Sequence, residues 1–130
     1  MECRMRVMLD SSFLIDHLHG DPAAIARFAK LFEDGDEPLL CFSPVCEVEA
    51  GLRPEDERAF AALIRAAEFV HAAPNAARDA GRWRREALRR GRTLSLPDSM
   101  IAAEAVHDGA AVLTRNVRDF ALTPVTVLTY

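Results

Sequence analysis

Short apolar runs alternate with segments of helical periodicity along the whole 130-residue chain. Strands that alternate with helices are joined by crossover connections, which place the strands parallel and the helices on both faces of the sheet. The sequence therefore predicts an α/β fold with three layers and a mostly parallel central sheet. The length fits a single domain over residues 1–130, without linkers or internal repeats. The predicted strands cover 6–9, 39–42, 69–72, 111–114 and 125–128.

Capping residues, prolines and glycines mark the ends of the predicted helices. Ser43 followed by Pro44 is typical of a cap and a first helical turn, and Gly91 is typical of a helix end. Pro97 and Asp98 begin the last long helix. The predicted helices cover 13–18, 22–33, 45–52, 56–67, 76–90 and 99–107.

Composition excludes several classes of protein. The net charge of −4 argues against a protein that coats nucleic acid by bulk charge. No apolar run approaches the roughly 18 residues of a membrane span, and the start MECRMRVMLD does not resemble a signal peptide, so we expect a cytoplasmic protein with no membrane partner.

Cys3, Cys41 and Cys46 lie in apolar stretches and are expected to be buried, reduced thiols. The histidines have no metal-ligand spacing, and we assign them no role.

Carboxylates follow the predicted strands. Asp10 comes directly after the first strand, Glu47 lies one helical turn after the second, and Asp119 lies five residues after the fourth. Ligands of such sheets bind at the carboxyl ends of the strands. Asp98 begins a helix instead. Carboxylates without a set of His or Cys ligands favour Mg²⁺ or Mn²⁺, which indicates phosphate chemistry.

Each acid also has a simpler interpretation. Asp10 and Asp98 stand at predicted helix starts, where an aspartate caps free N–H groups. Glu47 and Glu49 point about 200° apart on a helix, and only one of them can face a site; small neighbours favour Glu47 slightly. Asp119 can equally end a turn, on the same face as the preceding Asn116.

Four segments resemble the successive motifs of the PIN-domain ribonucleases, and in particular the VapC toxins of prokaryotic toxin–antitoxin pairs. They are MLDSSFLIDHL, SPVCEVEAGL, LPDSMIAAEAVHDGA and VLTRNVRDF, and together they span nearly the whole chain. On this resemblance Asp10 matches the first metal-binding acid and Asp98 the third. Glu47, four residues before Gly51, matches the second in preference to Glu49.

The fourth motif departs from the family pattern. Asn116 stands where the family often has an acid, and Asp119 can substitute for it. Because an amide carries no charge to hold a second ion, we expect one Mg²⁺, with Mn²⁺ as a possible substitute. Ser11, Ser12 and Thr114 match hydroxyl positions that orient the acids by hydrogen bonds, although capping and turn formation explain them equally.

The resemblance implies a PIN-like α/β/α fold and a metal-dependent endoribonuclease. Mg²⁺ held by Asp10 and Asp98 would bind the scissile phosphate, and Glu47 and Asp119 would position or deprotonate the attacking water. The implied substrate is tRNA or another structured RNA. The implied partners are a VapB-type antitoxin and a second copy of the chain.

Arginines are concentrated in one predicted helix. Arg82, Arg85, Arg89 and Arg92 are candidates for contacts with RNA phosphates beside the acidic pocket, although a solvated helix face is the plainer interpretation. Trp83, in the same segment, fits the core face.

An apolar stripe on two neighbouring helices is expected to lie in the core, and part of it can form a groove for an antitoxin. Its members are Ile25, Phe28, Leu31, Phe32, Phe60, Leu63 and Ile64.

Two other functions compete with the ribonuclease. A phosphatase of the haloacid-dehalogenase type would use Asp10 as nucleophile, but such enzymes usually carry a second Asp two residues later, where this chain has Ser12. A non-catalytic binding module that retains the fold is encouraged by Asn116. Divalent-metal binding separates that module from an enzyme.

Overall fold

A five-stranded sheet forms the centre of the computed structural model, which describes residues 4–130. The strand order is β3-β2-β1-β4-β5, and every neighbouring pair is parallel. Apolar strands such as Val7 to Leu9 suit the centre of a parallel sheet, because both faces are covered. The strands are β1 (Arg6–Leu9), β2 (Glu37–Leu40), β3 (Glu68–Phe69), β4 (Ala110–Leu113) and β5 (Val127–Leu128).

Helices connect the strands and cover the sheet. A 3₁₀ turn, Pro54–Asp56, leads into the fourth helix. Gly91 has a left-handed φ of 69°, which confirms it as the residue that ends the fifth. The helices are α1 (Ser11–Leu18), α2 (Pro22–Glu33), α3 (Phe42–Ala50), α4 (Glu57–Ala66), α5 (Pro74–Arg89), α6 (Leu96–His107) and α7 (Val117–Phe120).

Two apolar clusters lie on opposite faces of the sheet. Successive strand residues point to opposite faces, so Met8 packs with α5 and α6 while Val7 and Leu9 pack with α1 to α4. Trp83 is buried in the first cluster, which confirms its predicted role in packing. The layers of helix, sheet and helix confirm the predicted three-layer α/β fold.

Four helices begin earlier than predicted: α3 and α6 by three residues, and α1 and α5 by two. The pairing of β2 with β1 ends at Leu39, and the chain enters α3 at Phe42 after an extended Cys41. Ser43 is therefore buried inside the helix, and its prediction as the cap is wrong. Similarly, α6 begins at Leu96 rather than at residue 99.

The predicted burial of the cysteines and of the apolar stripe holds only in part. Cys41 is buried, but Cys46 is exposed because α3 turns it away from the sheet; Cys3 lies outside the described residues. Leu31 is buried as predicted, as are the two α4 members Phe60 and Leu63. The α2 residues Ile25 and Phe32 are 46% and 50% exposed, so their prediction as core is wrong.

Across residues 4–130, no helix combines the length and apolarity that a membrane crossing requires.

Candidate active site

Asp10 is the most buried acid among the described residues. It directly follows β1, is 1% exposed, and its backbone N–H donates to the carbonyl of Leu113 at the end of the adjacent β4. Its Oδ2 accepts hydrogen bonds from Ser12 Oγ at 2.8 Å and Thr114 Oγ1 at 2.7 Å. Its Oδ1 is buried and has no hydrogen-bond partner among the described residues. One carboxylate oxygen is therefore fixed, and the other is left for a ligand.

The helix-cap interpretation of the two aspartates does not agree with the structure. Asp10 occupies the cap position of α1, but within residues 4–130 its side chain makes no capping hydrogen bond. In α6 the cap is Ser95, whose Oγ accepts from the backbone N–H of Asp98 at 3.2 Å. Neither aspartate is thus explained as the residue that caps its helix.

One open pocket of about 470 Å³ brings the predicted acids together. Asp10 reaches it from the end of β1, Glu47 from α3, Asp98 from α6 and Asp119 from α7. Glu49, the alternative to Glu47, is exposed on α3 and does not line the described part of this pocket. The pocket lies at the carboxyl ends of β1 and β4, as expected for a parallel sheet.

Burial and mutual repulsion both disfavour negative charge in the pocket. Burial raises the pKa of Asp98 to about 6, and the negative charges of Asp10, Asp119 and Glu47 add to the shift. The hydroxyl of Ser95 partly offsets it. The pocket therefore favours a group that brings positive charge.

Glu47 is affected in the same direction. Partial burial raises the pKa of its carboxyl, and the charge of Asp10 raises it further. The hydroxyls of Ser11 and Ser43 oppose this rise. Ser11 thus acts on Glu47, while Ser12 and Thr114 hold Asp10.

Two hydroxyls also position the loop after β4. Ser12 Oγ accepts from the backbone N–H of Arg115 at 3.1 Å, and Thr114 Oγ1 accepts from that of Asn116 at 2.8 Å. The two hydroxyl oxygens are 3.2 Å apart. Asn116 lines the pocket at the start of α7. The hydroxyls therefore couple Asp10 to the chain segment that carries Asn116.

The donor set of the pocket fits a hard divalent cation. Its acids supply oxygen ligands only, and the buried Asp10 Oδ1 is unpartnered among residues 4–130. In that same part of the chain, no group of three or more His, Cys, Asp or Glu side chains is arranged to hold a metal ion. Mg²⁺ does not need one, since it keeps several waters and binds directly to one or two carboxylates.

The predicted RNA-binding arginines lie outside the walls of this pocket, as far as the structure describes it. Arg82 pairs with Asp79 at 2.9 Å and, with Arg85, lines a separate groove on α5. His107 Nε2 at the end of α6 lies 2.7 Å from Asp79 Oδ2 near the start of α5, so the two helices run antiparallel. The pocket end of this hairpin therefore carries the last part of α5, with Arg89 and the following Arg92.

Arg115 is a pocket residue that the sequence analysis missed. It lines the pocket beside the acids and forms an ion pair with Asp16. The signal was available, because Arg115 directly follows Thr114 at the end of β4, where the rule about strand ends applies.

Known proteins resemble this chain in sequence and in structure. The family model described as PIN domain matches residues 7–124. Ribonuclease VapC19 of Mycobacterium tuberculosis strain H37Rv is 32% identical over 117 residues, which cover 90% of this chain and 94% of that protein.

Solved structures of other proteins share the fold. VapBC2 from Rickettsia felis, bound to a DNA fragment from its promoter, superposes with a TM-score of 0.84 at 16% identity over 97% of this chain and 99% of that one. Mycobacterium tuberculosis VapC20, described as a sarcin-ricin loop cleaving toxin, has a TM-score of 0.67 at 17% identity over 92% and 96% of the two chains. These similarities confirm the predicted PIN-like fold.

Proposed function

This chain belongs to the PIN-domain family, and from that membership we propose that it is an endoribonuclease toxin of a toxin–antitoxin pair. It hydrolyses RNA phosphodiester bonds at the acidic pocket with the help of a divalent cation. The observation that carries the proposal is the buried, unpartnered Asp10 Oδ1, for which residues 4–130 supply no donor, in a pocket lined by three further carboxylates.

Asp10, Glu47, Asp98 and Asp119 are the residues that would hold the cation, and Asp10 is the most buried of the four. Mg²⁺ or Mn²⁺, when bound, neutralises charge on the scissile phosphate and makes a bound water more acidic. The raised pKa of Asp98 supports this assignment, because burial and the neighbouring carboxylates both disfavour its negative charge, and a bound cation would offset both effects.

Glu47 and Asp119 position the attacking water and take its proton. A raised pKa makes the Glu47 carboxylate a stronger base than an ordinary glutamate. The water oxygen forms a bond to phosphorus while the bond to the leaving ribose oxygen breaks. The carboxylate releases the water's proton to solvent, and the leaving oxygen takes a proton from solvent. Thr114 and Ser12 contribute by holding one oxygen of Asp10, so that the other keeps its direction.

The amide of Asn116 favours a single cation. It lines the pocket at the position of the missing fourth acid and brings no negative charge. Asp119, three residues later on α7, supplies a carboxylate to the same pocket. Asp119 therefore takes the place of the missing acid in this proposal.

Arginines of α5 supply the positive surface for the RNA backbone. Arg82, Arg85 and Arg89 follow one another at spacings of three and four residues, which places them on one helix face. This face runs toward the pocket end of the α5–α6 hairpin, where Arg92 follows. tRNA or another structured RNA presents phosphates along such a path.

The proposed partners are a VapB-type antitoxin and a second copy of the chain. Structures that resemble this chain include complexes of VapC-type proteins with their antitoxins. Exposed Ile25 and Phe32 on α2 offer apolar surface for a partner. Mass measurement in solution, with and without the co-expressed antitoxin, tests both partnerships.

Cleavage of total cellular RNA by the antitoxin-free protein tests the activity. We expect discrete fragments with Mg²⁺ or Mn²⁺ and none with EDTA. Glu47→Gln should abolish the fragments, whereas Glu49→Gln should keep them, since it makes the same change on the same helix outside the pocket. Intact RNA with folded wild type and either ion contradicts the proposal and favours the non-catalytic module.

A further inference from the structure

Arg115 brings positive charge to the wall of a pocket that is otherwise acidic. It follows β4, and its backbone N–H is held by Ser12 Oγ, which also donates to Asp10. The side chain is 64% exposed and lines the pocket together with Asp98 and Asp119. An arginine side chain in this place would be expected to form ion pairs with the carboxylates of the pocket.

Arg115 pairs with an acid outside the pocket instead. Its Nη1 donates to Asp16 Oδ1 at 2.6 Å and to Asp16 Oδ2 at 2.7 Å. Asp16 is on α1, its side chain is only 13% exposed, and it also accepts a hydrogen bond of 2.6 Å from the Tyr130 hydroxyl. The guanidinium is therefore held by an acid outside the pocket, and among residues 4–130 the four pocket carboxylates form no ion pair with it.

The anchor leaves most of the guanidinium free. Of its five N–H groups, Nε and Nη2 find no acceptor within the part of the chain that the structure describes. These two nitrogens form one edge of the planar group, and such an edge matches two oxygens of a phosphate in a bidentate contact. This exposed and oriented edge next to a candidate cation site is therefore available to an anion from outside the protein, such as a phosphate.

We propose that Arg115 binds a phosphate of the RNA backbone at the acidic pocket through its Nε and Nη2 edge. Asp16 fixes the orientation of the guanidinium, and Tyr130 fixes Asp16. The inference rests on the proposed ribonuclease function and adds to it a substrate-binding residue that lies apart from the α5 arginines. An ion pair that only ties the loop after β4 to α1 is the competing role.

RNA binding in EDTA separates a phosphate contact of Arg115 from a purely structural ion pair, because no divalent cation and no cleavage then contribute. The probes are a labelled mixed-sequence single-stranded RNA and bulk tRNA, each titrated at several salt concentrations. Arg115→Gln should weaken binding about tenfold, as expected for the loss of a charge-assisted contact, and should lower the salt slope by about one. A purely structural ion pair has no effect on that slope.

Two further variants serve as controls. Arg65→Gln makes the same change near the end of α4. This helix leads into the edge strand β3, which lies on the other side of β1 from β4. The RNA affinity of this variant should stay within about twofold of wild type. Arg115→Lys keeps the charge and loses the planar fork, so it should restore the salt slope and recover affinity only in part. Because Lys can still pair with Asp16, this variant also covers the case in which the glutamine variant does not fold.

The outcomes separate this inference from the function on which it rests. A wild type that binds and cleaves RNA, together with an Arg115→Gln variant that binds like Arg65→Gln, overturns the role of Arg115 alone. Full recovery of affinity by Arg115→Lys overturns the bidentate contact. A wild type that neither binds nor cleaves RNA overturns the proposed function, and the inference with it.

Discussion

Replacement of Asp98 by asparagine should stabilise the metal-free protein while it removes activity. The pKa of Asp98 is raised to about 6 by burial and by the charges of Asp10, Asp119 and Glu47. At neutral pH the folded protein therefore holds an ionised carboxyl in a place that disfavours it. The asparagine side chain has a similar shape and no charge, so it should relieve this repulsion.

The pKa shift sets the size of the effect. The ordinary pKa is 3.8 and the folded value is about 6, a shift that corresponds to roughly 3 kcal/mol of lost stability well above pH 6. The charge of Asp98 also gains about 0.5 kcal/mol from the nearby start of α6, which asparagine forgoes. With allowance for solvent screening of this half-buried group, we expect a net stabilisation of about 2 kcal/mol.

The pH dependence gives the sharper test. Since the folded pKa is raised, wild type loses stability as pH rises from about 4 to about 6, and the loss is constant above. The advantage of Asp98→Asn should thus be full at pH 8, roughly half at pH 5 and nearly absent near pH 4.

Urea unfolding and thermal melts in EDTA measure this advantage. At pH 8 we expect the melting temperature to rise by roughly 5–8 °C. Glu49→Gln, which neutralises an exposed acid of α3, should change it by less than about 2 °C. A variant that is less stable than wild type at pH 8, or an advantage that persists undiminished at pH 4, would refute the reasoning.

Three further substitutions test the parts of the site and its support. Thr114→Val removes the 2.7 Å hydrogen bond to Asp10 and should weaken Mn²⁺ binding about 10- to 100-fold, as measured by calorimetry; unchanged affinity would contradict this. Phe120→Ala removes the fully buried side chain of the last α7 residue and should lower the free energy of unfolding in urea by about 3–5 kcal/mol. A decrease below about 1 kcal/mol would show that the Phe120 side chain does not pack in the core as described. Tyr130→Phe removes one hydrogen bond to Asp16 and should cost about 1 kcal/mol, read from the same unfolding curves; no change would show that the bond is not formed in solution.

The sequence predicts the layers of this fold better than the ends of its elements. Apolar periodicity indicates which face of a segment is buried, and this is enough to place β1, α5 and α6 in their layers. The start of α3 depends on the residue at which β2 stops pairing with β1, and that residue is Leu39. No local pattern around Ser43 carries that information. The exposure of Cys46 likewise depends on how α3 packs.

The acids of the site were predictable for different reasons. Asp10 follows from the rule about strand ends. The choice of Glu47 over Glu49 was nearly even from helix geometry, because it depends on which side of α3 faces the pocket. The place of Arg115 at the pocket also follows from the rule about strand ends, but its pairing with Asp16, 99 residues away in the chain, has no signal in the sequence.

Calorimetric titration of Mn²⁺ into the antitoxin-free protein tests the central claim most directly, since it asks whether the acidic pocket holds a divalent cation before any RNA is present. Wild type and Glu49→Gln should bind Mn²⁺ with the same affinity, close to one ion per chain. Asp10→Asn should lose this binding while it keeps a wild-type or higher melting temperature in EDTA. If Asp10→Asn binds Mn²⁺ as tightly as Glu49→Gln does, the pocket is not the cation site and the account fails.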